Sequence, residues 1–590
     1  MYLAQLQIKN FRKYEDCTIN FRKGFNLLVG ENDSGKSAII DAIRKVLWTH
    51  SYEPDKLEEE DFFNCERDDR EIKITCVFKG LEDPEETQHF LEWIGIENDK
   101  PFLKVWYIGK YNRDTRRCYG EVRAGPDEEG NRIDSKALEY LKVTYLKPLR
   151  DAESELEARK YSRLSRILHT HDAFDFNNIE EERTHTVYLS IKNANEKLIE
   201  YFSQTENCDD NCSTCPETRK KKCGKRILKT INENLEQFST IENLESKIRI
   251  GKDLKIKDIL ETLELKLGAI KPGLGALNRL FIAVEFLLLQ KESYTGLRLA
   301  LIEEIEAHLH PQAQLKLIEF LQDISEKEGI QLIITTHSPN LASKIYLKNI
   351  ILLKDNRTYS LGKTKLEEND YRFLQRFLDV TKANMFFANG IIIVEGPSEE
   401  ILIPVLAEKI DRPLTKYGVS IVNVRGKAFL RYSRIYQLDS GGDGETIGVP
   451  VAIVTDADAD PDDDELEDRI RQKKEKYGYG DKIEAFVSPE LTLEYCLAES
   501  GIRNLFIRSI IKAGREMGKI TDGWESDLES KDSMGIYNEY IKEGKRVSKS
   551  IIGQCLADII SREKLPEDIE DDGYIGYLFD AIKHVTSQEN

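Results

Sequence analysis

Short apolar runs, separated by stretches in which apolar residues recur at helical spacing, organise most of this chain. Met1 to Phe11 alternates apolar and polar side chains and predicts a first strand. GFNLLVG predicts a second, a glycine-rich turn follows, and SAIIDAIRKVLW then shows a helical period. EIKITCVF and FLKVWYIGKY add strand candidates. Residues 155–262 change character: they are charged, poor in glycine and proline, and helically periodic, as in NANEKLIEYFSQ and ILKTINENLEQF. Strand and helix alternation returns with LRLALIEE, QLIITTHS and KNIILLK, and a polar stretch at Asp355–Tyr371 reads as a connector. GIIIVEG, VSIVNVRG and VPVAIVTDADAD then form a second series of short apolar strands. Short strands alternating with helices predict an α/β fold with largely parallel sheets. The pattern divides the chain into 1–154, a helical insertion at 155–262, a return at 263–370, and a second α/β domain at 385–590.

Length fits this division, because 590 residues exceed one compact core. Apolar residues make up 40% of the chain, but no run is long enough for a transmembrane helix, and the first residues lack the apolar core of a signal peptide. The expectation is a cytoplasmic protein with no membrane partner. A net charge of −20 excludes passive coating of nucleic acid by a globally basic surface, so any DNA contact needs local basic patches or metal ions. Of ten cysteines, Cys17, Cys65, Cys76, Cys118, Cys496 and Cys555 are scattered and read as buried free thiols in a reducing compartment.

Gly30-Glu-Asn32-Asp-Ser34-Gly35-Lys36-Ser37 follows an apolar strand and opens a helix, the context a phosphate-binding loop requires. Backbone N–H groups of such a loop cradle phosphate oxygens, Lys36 adds charge at the β- and γ-phosphates, and Ser37 offers a hydroxyl to Mg²⁺. LALI ends in Glu303 and Glu304: the first carboxylate holds Mg²⁺ and the second acts as general base toward the attacking water. LIITT ends at His337, placed to sense the γ-phosphate. These three strand ends predict an ATP site.

A second constellation is acidic. Glu395 follows GIIIV, Glu399 comes one helical turn later, and Asp456 and Asp458 follow VAIVT, sharing one face if that strand continues. Carboxylates at adjacent strand ends of a parallel sheet converge in one crevice, and their repulsion calls for cations. Oxygen donors favour Mg²⁺ or Mn²⁺, which can activate water against a phosphodiester. Asp460, Asp462, Asp463 and Asp464 read instead as a solvated acidic loop.

The three ATP-site motifs resemble the ABC ATPase superfamily in its chromosome-maintenance and Rad50-like branch, as does the opening IKNFRKYEDCTINF, where the resemblance puts Arg12 near the nucleotide. The signature helix falls at KPGLGALNRLFIAVEFLLL with Gly273 and Gly275, without the usual serine-glycine pair. Such heads engage ATP between two subunits, which implies a homodimer or a higher homo-oligomer. Glu-Gly after a strand and D-x-D after a later one resemble the Toprim domain. FLDVTKANMFFANGIIIVEGPSEE, together with the order ATPase then Toprim, resembles the OLD (overcoming lysogenization defect) nucleases, of the Gabija-like or retron-associated anti-phage effector type. By that resemblance 1–154 and 263–370 are the two parts of an ATPase head and 385–590 is the nuclease domain. It also implies that Glu399 serves the metals, that Glu494 in SPELTLEYCLA is a further ligand, and that Lys549 in VSKSIIGQCLADII aids cleavage, with Lys545 as the competing lysine. The roles of Arg425 and Lys427 in VNVRGKAFL stay open.

Inside the insertion, Cys208, Cys212, Cys215 and Cys223 lie close enough in sequence to hold one structural Zn²⁺; an inter-chain hook through Cys212 and Cys215, or free thiols in an exposed loop, are the alternatives. The basic run Arg219–Lys222 is either a phosphate contact or a solvated face. The function expected is an ATP-controlled, metal-dependent DNA endonuclease or nickase. The resemblance adds a role in anti-phage defence with a co-encoded protein or nucleic-acid partner. A Rad50-like DNA-binding repair ATPase with a non-cleaving Toprim domain is the alternative.

Overall fold

The computed structural model describes residues 1–49, 56–63, 70–112, 117–127, 130–147, 162–203 (except 171, 175 and 177), 231, 255–263, 265, 273–289, 296–439, 444–459, 463–521, 523–542 and 546–587. These fall into two units, Met1–Pro148 with Thr295–Asn590, and Leu149–Tyr294. The second unit is wider than the predicted insertion and contains the expected signature helix, Leu274–Leu289. Its described helices include Arg163–Thr170 and Thr186–Ser203, and the Ile256 N–H donates to Glu182 Oε1 at 2.6 Å. Lys545 and the four clustered cysteines lie outside the described residues.

Among the described residues the first unit holds three sheets. One is antiparallel: β1 (Tyr2–Phe11), β2 (Tyr14–Asn20), β4 (Glu71–Lys79), β5 (Ile94–Glu97), β6 (Lys100–Asn112), β7 (Arg117–Ala124) and β8 (Asn131–Arg132), in the order β2-β1-β4-β6-β7-β8 with β5 on β6. The second runs β13-β12-β3-β11-β10-β9, from β3 (Phe25–Val29), β9 (Thr144–Leu146), β10 (Leu299–Ile302), β11 (Gln331–Thr336), β12 (Ile350–Lys354) and β13 (Arg357–Ser360). All its pairs are parallel except β12 with β13. β3, β10 and β11 are buried along their whole length, as continuous apolar runs in a parallel sheet require. The third sheet, β15-β14-β16-β17, is wholly parallel: β14 (Gly390–Val394), β15 (Val419–Asn423), β16 (Val451–Thr455) and β17 (Ile483–Val487). The α/β expectation therefore holds. Among the described residues no helix is long and apolar enough to cross a membrane.

Helices used below are α1 (Lys36–Val46), α2 (Pro311–Glu328), α3 (Glu368–Phe377), α4 (Pro397–Lys409), α5 (Leu466–Tyr477), α6 (Leu493–Glu499) and α7 (Lys549–Arg562). The stretch Asp355–Tyr371 is more ordered than a connector. Asp355 and Asn356 both take left-handed φ (49° and 58°), which closes the β12–β13 hairpin, and a Glu367/Asp370 capping box starts α3.

Candidate functional site

The phosphate loop leaves β3 between its neighbours β11 and β12, at the carboxyl end of the sheet. That is where open α/β sheets form crevices. Here Arg12, Asn32, Gly35, Lys36, Ser37, Glu304 and His337 line one cavity of about 680 Å³. Gly35 has φ +98°, and a Cβ there would sit 2.2 Å from Tyr14 Oη, so both backbone sign and space demand glycine. Lys36 Nζ donates to Gly30 O at 2.7 Å, Glu31 O at 2.6 Å and Ser34 Oγ at 3.2 Å. Burial pushes the Lys36 ammonium down to about 8, against the pull of Glu306 and Glu304. Arg12, itself at φ 50°, donates to Asp41 at 2.6 Å and Asp61 at 3.0 Å, which fixes its place in the cavity wall.

The two glutamates after β10 differ sharply. Glu303 is buried and accepts the Tyr145 hydroxyl at 2.7 Å. Burial raises its pKa, while bonds from Tyr145 and Ser37 work against that. Glu304 is exposed, has φ +43°, and is turned out by its own N–H donating to Thr335 Oγ1 at 3.1 Å. A third carboxylate, Glu306, was not legible as part of this site. It accepts the His337 N–H at 2.6 Å and the Thr336 hydroxyl at 2.9 Å. Burial raises its pKa. Burial, and then Lys36, lower that of His337, which favours the neutral imidazole.

The acidic residues gather at the carboxyl ends of β14 and β16. Glu395 follows β14, and Thr455 Oγ1 stands 3.5 Å from it. Glu399 lies in the first turn of α4 and Glu494 in the first turn of α6. Asp456 Oδ1 accepts the Leu493 N–H at 2.8 Å. Lys549, the first residue of α7, donates to Glu494 Oε2 at 2.7 Å. α7 reaches this crevice because Gly553 lets it close on α4: a Cβ there would be 3.1 Å from Ser398 Cα. The expectation that Asp456 and Asp458 share a strand face is corrected. β16 ends at Thr455, and Asp458 takes φ +56°, so it turns away to accept Lys427 and Lys473, each at 2.7 Å. Lys473, on α5, sits in the run RQKKEKY, which in sequence resembles any solvated helix face.

Charge is stressed here. Burial, then Glu494 and Glu395, push Glu399 up to about 7. Burial, then Glu494 and Glu399, raise Asp456 well above its ordinary range, and burial, then Asp458, raise Glu395. For Asp458 burial acts upward too, but Lys427 and Lys473 outweigh it and hold the carboxyl low. Among the described residues no three acidic, histidine or cysteine side chains stand as a ready coordination sphere. Asp458 and Glu494 spend their charge on lysines instead. The donor set nevertheless suits a hard divalent cation: it is all oxygen, and three of its carboxylates carry strain that positive charge relieves.

Residues 1–342 match the AAA ATPase domain family, and residues 386–458 match the family described as overcoming lysogenization defect protein-like, TOPRIM domain. The chain is 24% identical over 550 residues to the endonuclease GajA of Bacillus cereus (strain HuB5-5), covering 77% of this chain and 76% of that protein. It is 25% identical over 459 residues to the OLD nuclease of Thermus scotoductus (strain ATCC 700910 / SA-01), covering 72% and 78%. A solved C-terminal region of the Xanthomonas campestris pv. campestris OLD protein aligns with 34% of this chain and 94% of its own, at 22% identity and TM-score 0.25. The two domains together imply use of a nucleotide and a divalent metal. With its glycine loop and strand-end glutamates inside the matched span, the chain belongs to the AAA ATPase domain family, and it carries an OLD-like TOPRIM domain behind that ATPase.

Proposed function

We propose that this chain is an ATP-regulated, divalent-metal-dependent DNA endonuclease or nickase, acting as a homo-oligomer in anti-phage defence. One observation carries the ATP control: Lys354, at the end of β12, donates to Glu31 of the phosphate loop at 3.0 Å and also to Asn389, the residue before β14. A change at the nucleotide thus meets the entry to the nuclease sheet through one side chain.

In the ATPase head, Lys36 and the loop N–H groups would hold the phosphates, and Ser37 and Glu303 would hold the nucleotide's magnesium. Glu304, which lines the cavity, would act as general base, and Glu306, which accepts the His337 N–H, would hold His337 ready to sense the γ-phosphate. In the Toprim crevice, Glu395, Glu399, Asp456 and Glu494, with Asp458 at the edge, would hold Mg²⁺ or Mn²⁺. The cation's chemistry there is activation of water and neutralisation of the phosphodiester. Lys549 brings an ammonium to the same place, suited to stabilising the departing oxygen, while Lys427 and Lys473 orient Asp458.

The test uses supercoiled plasmid with Mg²⁺ or Mn²⁺, with and without ATP, beside an Asp456→Ala/Asp458→Ala variant. Metal-dependent nicking or linearisation that the variant loses is the expected result. No cleavage under any nucleotide condition, with ATP hydrolysis intact, would overturn it in favour of a DNA-binding ATPase.

A further inference from the structure

At the amino end of the ATPase sheet, away from the phosphate loop, a second cavity of about 780 Å³ opens beside β3, the end of α2 and one face of α3. Five basic side chains line it, Arg22, Lys23, Lys348, Arg372 and Arg376, against two acidic ones, Glu326 and Glu368. Glu368 is already paired with Lys348, and Arg22 donates to Lys348 O at 3.1 Å. Lys23, Arg372 and Arg376 are exposed, and among the described residues none of them has an ion pair. An aromatic ring stands with them: Tyr346 is 55% exposed on the cavity wall.

In a chain of net charge −20, so local an excess of unpaired cations marks a place built for anions. Cations that track phosphates, beside an exposed ring that accepts a base, are the elements of a single-strand contact. We propose that this cavity binds a nucleic-acid strand, with phosphates on Lys23, Arg372 and Arg376 and a base on Tyr346. A free nucleotide offers the same phosphate chemistry, and the test separates the two.

The geometry also connects the site to the nuclease domain. α3 turns Tyr371, Arg372, Gln375 and Arg376 to the cavity. Its other face meets the Toprim side, where Arg434 donates to Asp370 at 2.9 Å and the Arg431 guanidinium stacks 4.1 Å from the Phe373 ring centre. A bound strand would therefore rest on a helix that the nuclease domain also grips. The site itself does not depend on whether the acidic crevice cuts DNA.

The test is fluorescence anisotropy of a short labelled single-stranded oligonucleotide with the full chain in EDTA, so that cleavage plays no part. The background is Lys36→Ala, which removes nucleotide binding at the loop. Arg372→Ala/Arg376→Ala is expected to weaken binding at least about tenfold and to flatten the log Kd–log salt slope by about 1.4, two phosphates' worth for a single strand. Lys23→Glu, on a different element, should weaken binding too, and excess ATP should not displace the strand. Unchanged affinity and slope in both variants would overturn the proposal, and displacement by ATP would overturn its assignment to a strand.

Discussion

Glu399 is buried in the acidic crevice close to the charges of Glu494 and Glu395. With a pKa of about 7 against an ordinary 4.5, it keeps a proton in the folded chain that the unfolded chain has lost. Without metal, its contribution to stability therefore declines as pH rises from about 4.5 toward about 7. A divalent cation reverses this by favouring the ionised form, so Mn²⁺ should raise the melting temperature more above pH 7 than well below it. Thermal melts over a pH series check this; a metal effect independent of pH would argue against Glu399 as a ligand. Apparent metal affinity in plasmid cleavage should likewise fall below pH 7, as protons compete at Glu399, Glu395 and Asp456. On the ATPase side, Glu304→Gln should retain a fluorescent ATP analogue while slowing hydrolysis by about 10²-fold or more, the usual contribution of a general base. Glu306→Ala leaves the His337 N–H and Thr336 hydroxyl without their acceptor, at a cost of about 1–3 kcal/mol. Its signature is slower hydrolysis that Glu306→Gln partly restores.

At the scale of elements, two glycines decide what is built. Gly35→Ala meets both a left-handed φ and the Tyr14 ring, so the loop must move and ATP binding should be lost. Gly553→Val forces α7 away from α4 and carries Lys549 from Glu494. Cleavage should fall while ATP hydrolysis persists, a split that parallel assays on one preparation resolve. Gly35 is legible in sequence as part of the phosphate loop, whereas nothing in VSKSIIGQCLADII sets Gly553 apart. Only the approach of a second element explains Gly553.

For the whole molecule, the central matter is how the nucleotide reaches the nuclease. Lys354 joins Glu31 to Asn389, and Arg434 and Arg431 join the Toprim side to α3. Lys354→Ala should leave ATP hydrolysis and nucleotide-free cleavage near their original rates while shrinking the change in cleavage that ATP causes. Comparing plasmid nicking with and without ATP in the two proteins measures this, and an undiminished ATP effect would remove Lys354 from the route.

The sequence alone determined the α/β class, and it nominated the phosphate loop, both strand-end glutamates, His337 and most of the acidic set as candidates. These follow from local rules: a buried parallel strand must be apolar throughout, and the residues just past its end are fixed in place and face a crevice. Tertiary structure decided what depends on distant partners. It alone brings Lys549 to Glu494, sets Glu306 behind His337, and turns Asp458 out of line toward Lys427 and Lys473. It also selects, from many basic residues, the few that face one cavity beside α3. Burial and charge pairing are properties of neighbours in space, and no periodicity along a chain encodes which lysine will meet which carboxylate.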